Sequence, residues 1–329
     1  MLRRIRSASG RAVVGGSLAA LLAAGFLAGG AAGAVRYVDT FWLYRGYAAP
    51  VVPATVVVRT ATGTRTARVH AGTTQEIWVR SPALGGHRQP AYVYLPPGYA
   101  ASAPRRYPVL YLLHGFPGGP VGFLNAADVG VTEDVLIAEH RIAPMILVMP
   151  SGSPGFLVDE EWANGVRPHN GWETFVAHDL VRAIDARYRT IASGAGRALG
   201  GLSEGGYGAL NIGLHHPGEF RVLESWSGYM QADDVPAIFG RSPALLRYNS
   251  PMEQLAVVAP RLRRDHTFVW FYAGTHDYTV SQNRQFAAEL TALGLPHFFA
   301  IRPGGHDWRL WRSMLTQALI AVSRRLAHG

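Results

Sequence analysis

The stretch Gly200-Gly201-Leu202-Ser203-Glu204-Gly205-Gly206-Tyr207-Gly208 constrains this chain more than any other, because its glycines leave room for two backbones to approach closely. It follows Arg197-Ala198-Leu199, which reads as a strand, and precedes Ala209 to Leu214, which reads as a helix. Gly201-x-Ser203-x-Gly205 in that setting is the pattern of a sharp strand-to-helix turn. Such a turn lifts a serine hydroxyl to a helix N-terminus, where negative charge is stabilised. The alternative is a tight turn carrying a surface serine, and in a chain with 38 glycines the short pattern alone does not decide. Partners elsewhere in the chain must.

Apolar runs alternate with helical patterns on both sides of this turn. Residues 91–95, 108–113, 145–149, 222–226, 267–272 and 297–301 read as strands, and the near-continuous apolarity of 108–113 marks a central one. Helices are expected over 132–140, 172–187 and 281–293, and in a last segment holding Leu310, Met314, Leu315, Leu319, Val322 and Leu326. Between 172 and 187, Val176, Leu180, Ala183 and Ile184 share one face that can lie on a sheet. The order predicts an α/β fold with a mostly parallel central sheet and helices on both faces.

In such sheets, sites form beyond the carboxyl ends of the strands. Three further strand ends carry suitable chemistry. His114-Gly115-Phe116-Pro117-Gly118-Gly119 can present a backbone N–H to the elbow, which makes the amides of Phe116 and Glu204 the candidate oxyanion donors, unless this is a plain glycine-requiring turn. Asp277 and His306 follow two later strands, and the order Ser203, Asp277, His306 is the one expected for a nucleophile, an orienting acid and a base in this architecture. His276, His215, His216 and His266 compete for the base, with His215-His216 read as a helix C-terminal cap pair; Asp307, Asp233 and Asp234 compete for the acid. His114 and Trp308 are candidate substrate contacts, His114 against a structural role in orienting its turn. Trp162, Trp172 and Trp226 line a groove or fill the core, and Asp159-Glu160-Glu161 reads as a solvated loop without metal-ligand spacing.

All 31 basic residues are arginine, and of the formal +9 charge the first 50 residues supply six Arg minus Asp39, or +5. No basic run follows, so a nucleic-acid partner is not expected. The absence of cysteine excludes disulfides and thiolate chemistry, and no cofactor or metal is called for. Arg3, Arg4, Arg6 and Arg11 precede an uncharged stretch from Ala12 to Val35, long enough to cross a bilayer, then Tyr37, Phe41, Trp42, Tyr44 and Tyr47. Residues 1–36 therefore read as a signal-anchor, or as a signal peptide cleaved after Ala32-Gly33-Ala34; residues 37–75 read as a linker with irregular strands, and 76–329 as the catalytic domain, extracytoplasmic or secreted.

The motifs AYVYLPPG (91–98), YPVLYLLHG (107–115), GLSEGGYGA (201–209) and GGHDW (304–308), in order over most of residues 75 to 320, resemble the esterase family that includes esterase D, S-formylglutathione hydrolase, feruloyl esterase domains and the antigen 85 mycolyltransferases. The resemblance implies an α/β-hydrolase fold, a serine acyl-enzyme on Ser203 and a small-molecule, lipid or sugar ester as substrate. Two departures stand out. Relatives often carry methionine where this chain has Glu204, whose side chain is expected to point away from the oxyanion. The transferases usually have aspartate where it has His114, which favours hydrolysis over acyl transfer to envelope sugars; a non-catalytic surface binding protein is the third reading.

Overall fold

The computed structural model describes Gly30 and residues 51–60, 63–101, 104–155, 158–232 and 235–328. The expected anchor or signal segment and residues 37–50 of the expected linker lie outside the described residues, apart from Gly30. Among the described residues no helix is long and apolar enough to cross a membrane.

Ten strands are described. β1 (Thr55–Thr60) and β2 (Gly63–Arg68) form an antiparallel hairpin where irregular strands were expected. The other eight form one sheet in the order β10-β9-β8-β7-β5-β6-β4-β3. Its members are β3 (Thr73–Arg80), β4 (Arg88–Leu95), β5 (Val109–Leu113), β6 (Ile146–Pro150), β7 (Arg197–Leu202), β8 (Val222–Trp226), β9 (Phe268–Gly274) and β10 (His297–Arg302). β5 to β10 run parallel to their neighbours, whereas β4 is antiparallel to β6 and β3 to β4. The sheet already begins at Thr73, inside the stretch expected to be linker.

Burial follows the sequence pattern. Every residue of β5, β6, β7, β8 and β9 is buried, as a strand covered on both faces requires, while β3 is mostly exposed at the edge. The expected helix over 172–187 forms as three consecutive stretches, Trp172–Thr174, a π-type segment Phe175–Leu180, and Val181–Arg187; Val176, Leu180 and Ile184 join the main core. The helix expected at 132–140 runs instead from Val129 to Ala138, where Glu139 and a left-handed His140 close it.

β6 and β7 lie on opposite sides of β5, so the chain reverses its direction of travel across the sheet there. Such a reversal opens a crevice at the carboxyl ends of the two diverging strands, here β5 and β7. Those ends carry Gly115 and Ser203.

Candidate active site

Ser203 joins β7 to the helix Glu204–His215 with φ 56° and ψ −124°, a backbone conformation that a side chain rarely adopts. Its amide donates to the Trp226 carbonyl at 2.9 Å, which ties the turn to β8. Glycine is required on both sides: a Cβ on Gly205 would overlap the Leu113 carbonyl, and one on Gly201 would overlap the carbonyl of Gly205. Helix and strand therefore touch backbone to backbone, and the hydroxyl stands at the helix N-terminus.

Three strand ends meet at this hydroxyl. His306 Nε2 is 2.7 Å from Ser203 Oγ, and His306 Nδ1 is 3.1 and 3.2 Å from the two carboxylate oxygens of Asp277. Burial works against ionisation of Asp277, but the bonds and charge of His306 and the Thr279 amide outweigh it and hold the carboxyl below its ordinary range. Asp277 also accepts from the Thr279 amide at 3.0 Å and the Thr279 hydroxyl at 2.9 Å. An ionised Asp277 only accepts, so His306 Nδ1 donates and Nε2 is free to accept from Ser203. Tyr278 and Trp311 bracket the imidazole, with ring centroids 4.7 and 5.2 Å away. Neither aromatic stood out in the sequence; Thr279, two residues after Asp277, is a side-chain turn signal that could have been found.

The turn after β5 lies directly against the elbow. A Cβ on Gly115 would be 2.8 Å from Ser203 Cβ. The Phe116 amide is in no hydrogen bond among the described residues, and the Glu204 amide is a first-turn N–H of the kind a helix leaves without an internal partner. Phe116 itself is 42% exposed, at the mouth of the site. Both ring nitrogens of His114 are engaged within the protein. It is buried, its Nε2 accepts the Gly152 amide at 3.0 Å, and its Nδ1 donates to the Gly115 carbonyl at 3.1 Å, so both nitrogens are used in holding loops. Burial pushes its pKa down to about 4, which keeps the ring neutral as those bonds require. The buried Trp162 indole donates to the His114 carbonyl at 2.9 Å, which makes it an anchor of the same turn.

The acidic run is not a solvated loop. Glu160 and Glu161 are buried, with Glu161 and Trp162 both at positive φ, and the run turns inward beneath the elbow. The Glu204 carboxyl is hydrogen-bonded to that of Asp159, and burial followed by the charges of Asp159 and Glu161 raises its pKa well above the ordinary value. Tyr229 donates to Glu161 and stacks on Tyr207 at 4.6 Å. Two carboxyls in hydrogen-bond contact share a proton, so the pair carries one negative charge rather than two.

Other candidates resolve differently from expectation. His215 and His216 do not cap their helix through their side chains; they donate to the buried Glu173 at 3.0 Å each, since a carboxylate within reach is a stronger acceptor than a helix-end carbonyl. Asp307 caps the helix Trp308–Ser323 by accepting from the Leu310 amide, and Trp308 is buried with its ring 5.2 Å from that of Trp311, so it fills the core rather than a groove. His276 and His266 are exposed, and Asp233 and Asp234 lie outside the described residues. Trp226 is buried. A small cavity of about 60 Å³ is bordered by His114, Phe116, Pro117, Gly118 and Glu204, among others. A larger one of about 720 Å³ shares Gly118, Ser153 and Gly155 with it and extends to Trp78 and Trp172 at the β3–β4 edge.

Residues 81–322 match the family model described as Putative esterase. An esterase of Mycobacterium tuberculosis is 31% identical over 252 residues, covering 66% of this chain and 52% of that protein. The diacylglycerol acyltransferase/mycolyltransferase Ag85B of Mycolicibacterium smegmatis is 25% identical over 224 residues, 55% of this chain and 66% of its own. Among solved structures, a ferulic acid esterase matches with a TM-score of 0.70 and 27% identity, over 78% of this chain and all of that one. The chain spans about half the length of the mycobacterial esterase.

Proposed function

Because the chain belongs to the Putative esterase family, whose model covers residues 81–322, we propose that it is a serine carboxylic-ester hydrolase acting through an acyl-enzyme on Ser203. The observation that carries this reading is the hydrogen-bonded series Ser203 Oγ, His306 Nε2, His306 Nδ1, Asp277. His306 accepts the serine proton as Oγ attacks the ester carbonyl, and returns it to the leaving alcohol as the tetrahedral intermediate collapses. Asp277 fixes the imidazole tautomer and stabilises the imidazolium without taking the proton. The amides of Phe116 and Glu204 receive the oxyanion, aided by the helix N-terminus. Water, activated by the same imidazole, then releases the acid. The full chain should be labelled by a fluorophosphonate at Ser203 and should hydrolyse 4-nitrophenyl acetate, with Ser203→Ala inactive in both assays. Folded protein that does neither overturns the reading.

Acyl transfer is the second reading, favoured by the similarity to the mycolyltransferase. It predicts that a sugar acceptor diverts product from free acid to a new ester; unchanged acid yield at all acceptor levels removes it. The arginine-led uncharged segment up to Val35 supports an exported domain tethered at its N-terminus.

A further inference from the structure

The larger cavity carries one guanidinium that no carboxylate of its lining neutralises. Its lining includes Arg88, Arg167, His87 and His169, with Glu160 as the single carboxylate. Glu160 is already committed: it accepts from Arg167 at 2.6 Å and from Asn170 at 2.7 Å. Arg88 has no carboxylate partner among the described residues; its guanidinium lies 6.0 Å from the ring centroid of the half-exposed Trp78. Beside it Gln89 is only 7% exposed, lines the cavity, and bonds through its side-chain amide to no group among the described residues. Arg88 is exposed, so its guanidinium is held by water, and an anion entering the cavity can replace that water without first breaking an ion pair.

Resting on the esterase reading, we infer that this cavity receives an anionic end of the ester, a carboxylate or phosphate on the part of the substrate that reaches past Gly118 and Ser153. Arg88 is the pairing cation, because a guanidinium matches either anion with two parallel donors, and Gln89 supplies a further donor. Arg88, Gln89 and Trp78 are then specificity-determining residues of an enzyme that prefers acidic esters to neutral ones of the same size.

Two matched substrate pairs test this and separate the sources. The 4-nitrophenyl monoester of glutaric acid against 4-nitrophenyl valerate puts a carboxylate on the acyl side; acetyl glycerol 3-phosphate against monoacetylglycerol puts a phosphate on the alcohol side. In one pair the anionic member should have a kcat/KM higher by roughly tenfold, as a charge-assisted contact gives. Arg88→Met keeps the stem on Trp78 and should remove that advantage while leaving the neutral substrates unaffected. Arg261→Met, at the exposed far side of the helix Pro251–Arg264, should not. Equal rates within both pairs, or an advantage that survives Arg88→Met, overturn the inference. Calorimetric titration of glutarate and glycerol 3-phosphate into Ser203→Ala and Ser203→Ala/Arg88→Met reads the same site without turnover. Binding lost with Arg88 supports the assignment even if ester cleavage itself fails, and no binding of either anion overturns it.

Discussion

At the scale of single residues, Asp277 and Glu204 are two buried carboxyls within one site whose environments push them in opposite directions. Asp277 is held ionised by His306 and Thr279, and it orients the His306 imidazole. Asp277→Asn should therefore lower kcat on 4-nitrophenyl acetate by roughly 10⁴-fold with little change in KM, because the amide can donate to the imidazole and favour the wrong tautomer. A fall of less than tenfold would mean that Asp277 does not orient His306. Its depressed pKa contributes stability that is present above the unfolded carboxylate value, about 3.9, and is lost as pH falls through the lower folded value. Glu204 is the reverse case. Its raised pKa means that the folded protein binds a proton the unfolded chain has released, so this residue costs stability as pH rises above the unfolded value of about 4.3. Glu204→Gln keeps the shape and can donate to Asp159. It should raise the urea midpoint more at pH 9 than at pH 5, by an amount corresponding to about 1–3 kcal/mol. An equal shift at both pH values would show that the Asp159–Glu204 pair holds no shared proton.

At the scale of elements, the site depends on how closely the β5 turn and the β7 elbow approach. Gly115→Ala would press a Cβ against Ser203 and Leu202 and move the Phe116 amide away from the hydroxyl. Its kcat should drop by roughly 10²-fold, the cost of about an ångström of misplacement, while fluorophosphonate labelling slows in proportion. Unchanged kinetics would remove the β5 turn from the oxyanion site. The far end of the elbow helix has its own anchor. The His215 side chain is buried between two acceptors, with Nδ1 3.0 Å from Glu173 and Nε2 2.8 Å from the Tyr248 carbonyl. Burial opposes that carboxylate, but bonds from His215 and His216 bring its pKa down to about 2. Its contribution is thus complete above the unfolded value and disappears only as pH falls through about 2. Glu173→Gln removes the carboxylate that both histidines bond and should cost about 1–3 kcal/mol at pH 6 by urea unfolding; a loss under about 0.5 kcal/mol would mean the contact is not coupled to the fold. Much of this was legible beforehand, because the signals are local. Ser203, Asp277 and His306 each follow an apolar strand, and strand ends converge in a parallel sheet whatever the loops do. The Glu173 clamp and the inward turn of Glu161 were not legible, since both depend on pairing across 40 or more residues and the second also on positive-φ geometry, which no spacing encodes. Trp308 was misplaced for a similar reason: nearness to His306 in sequence says nothing of which way a helix face turns.

At the scale of the whole molecule, the sheet, the elbow and the cavities all lie within the unit Ala48–Gly329, so the first 47 residues have to be explained by something other than the chemistry. Their composition is asymmetric: four arginines lie ahead of the uncharged stretch Ala12 to Val35, and aromatics suited to an interface follow it. An arginine-rich start stays on the cytoplasmic side, which would carry the esterase domain to the other face. On that argument the full chain expressed in its cells should sediment with membranes, resist extraction by alkaline carbonate, and be cut by protease added outside intact spheroplasts. Its intact mass should include Met1 or Leu2. A soluble species that begins near Val35 would overturn the anchor and point to cleavage after Ala34, leaving a secreted enzyme with the same site; protection from external protease would overturn export itself.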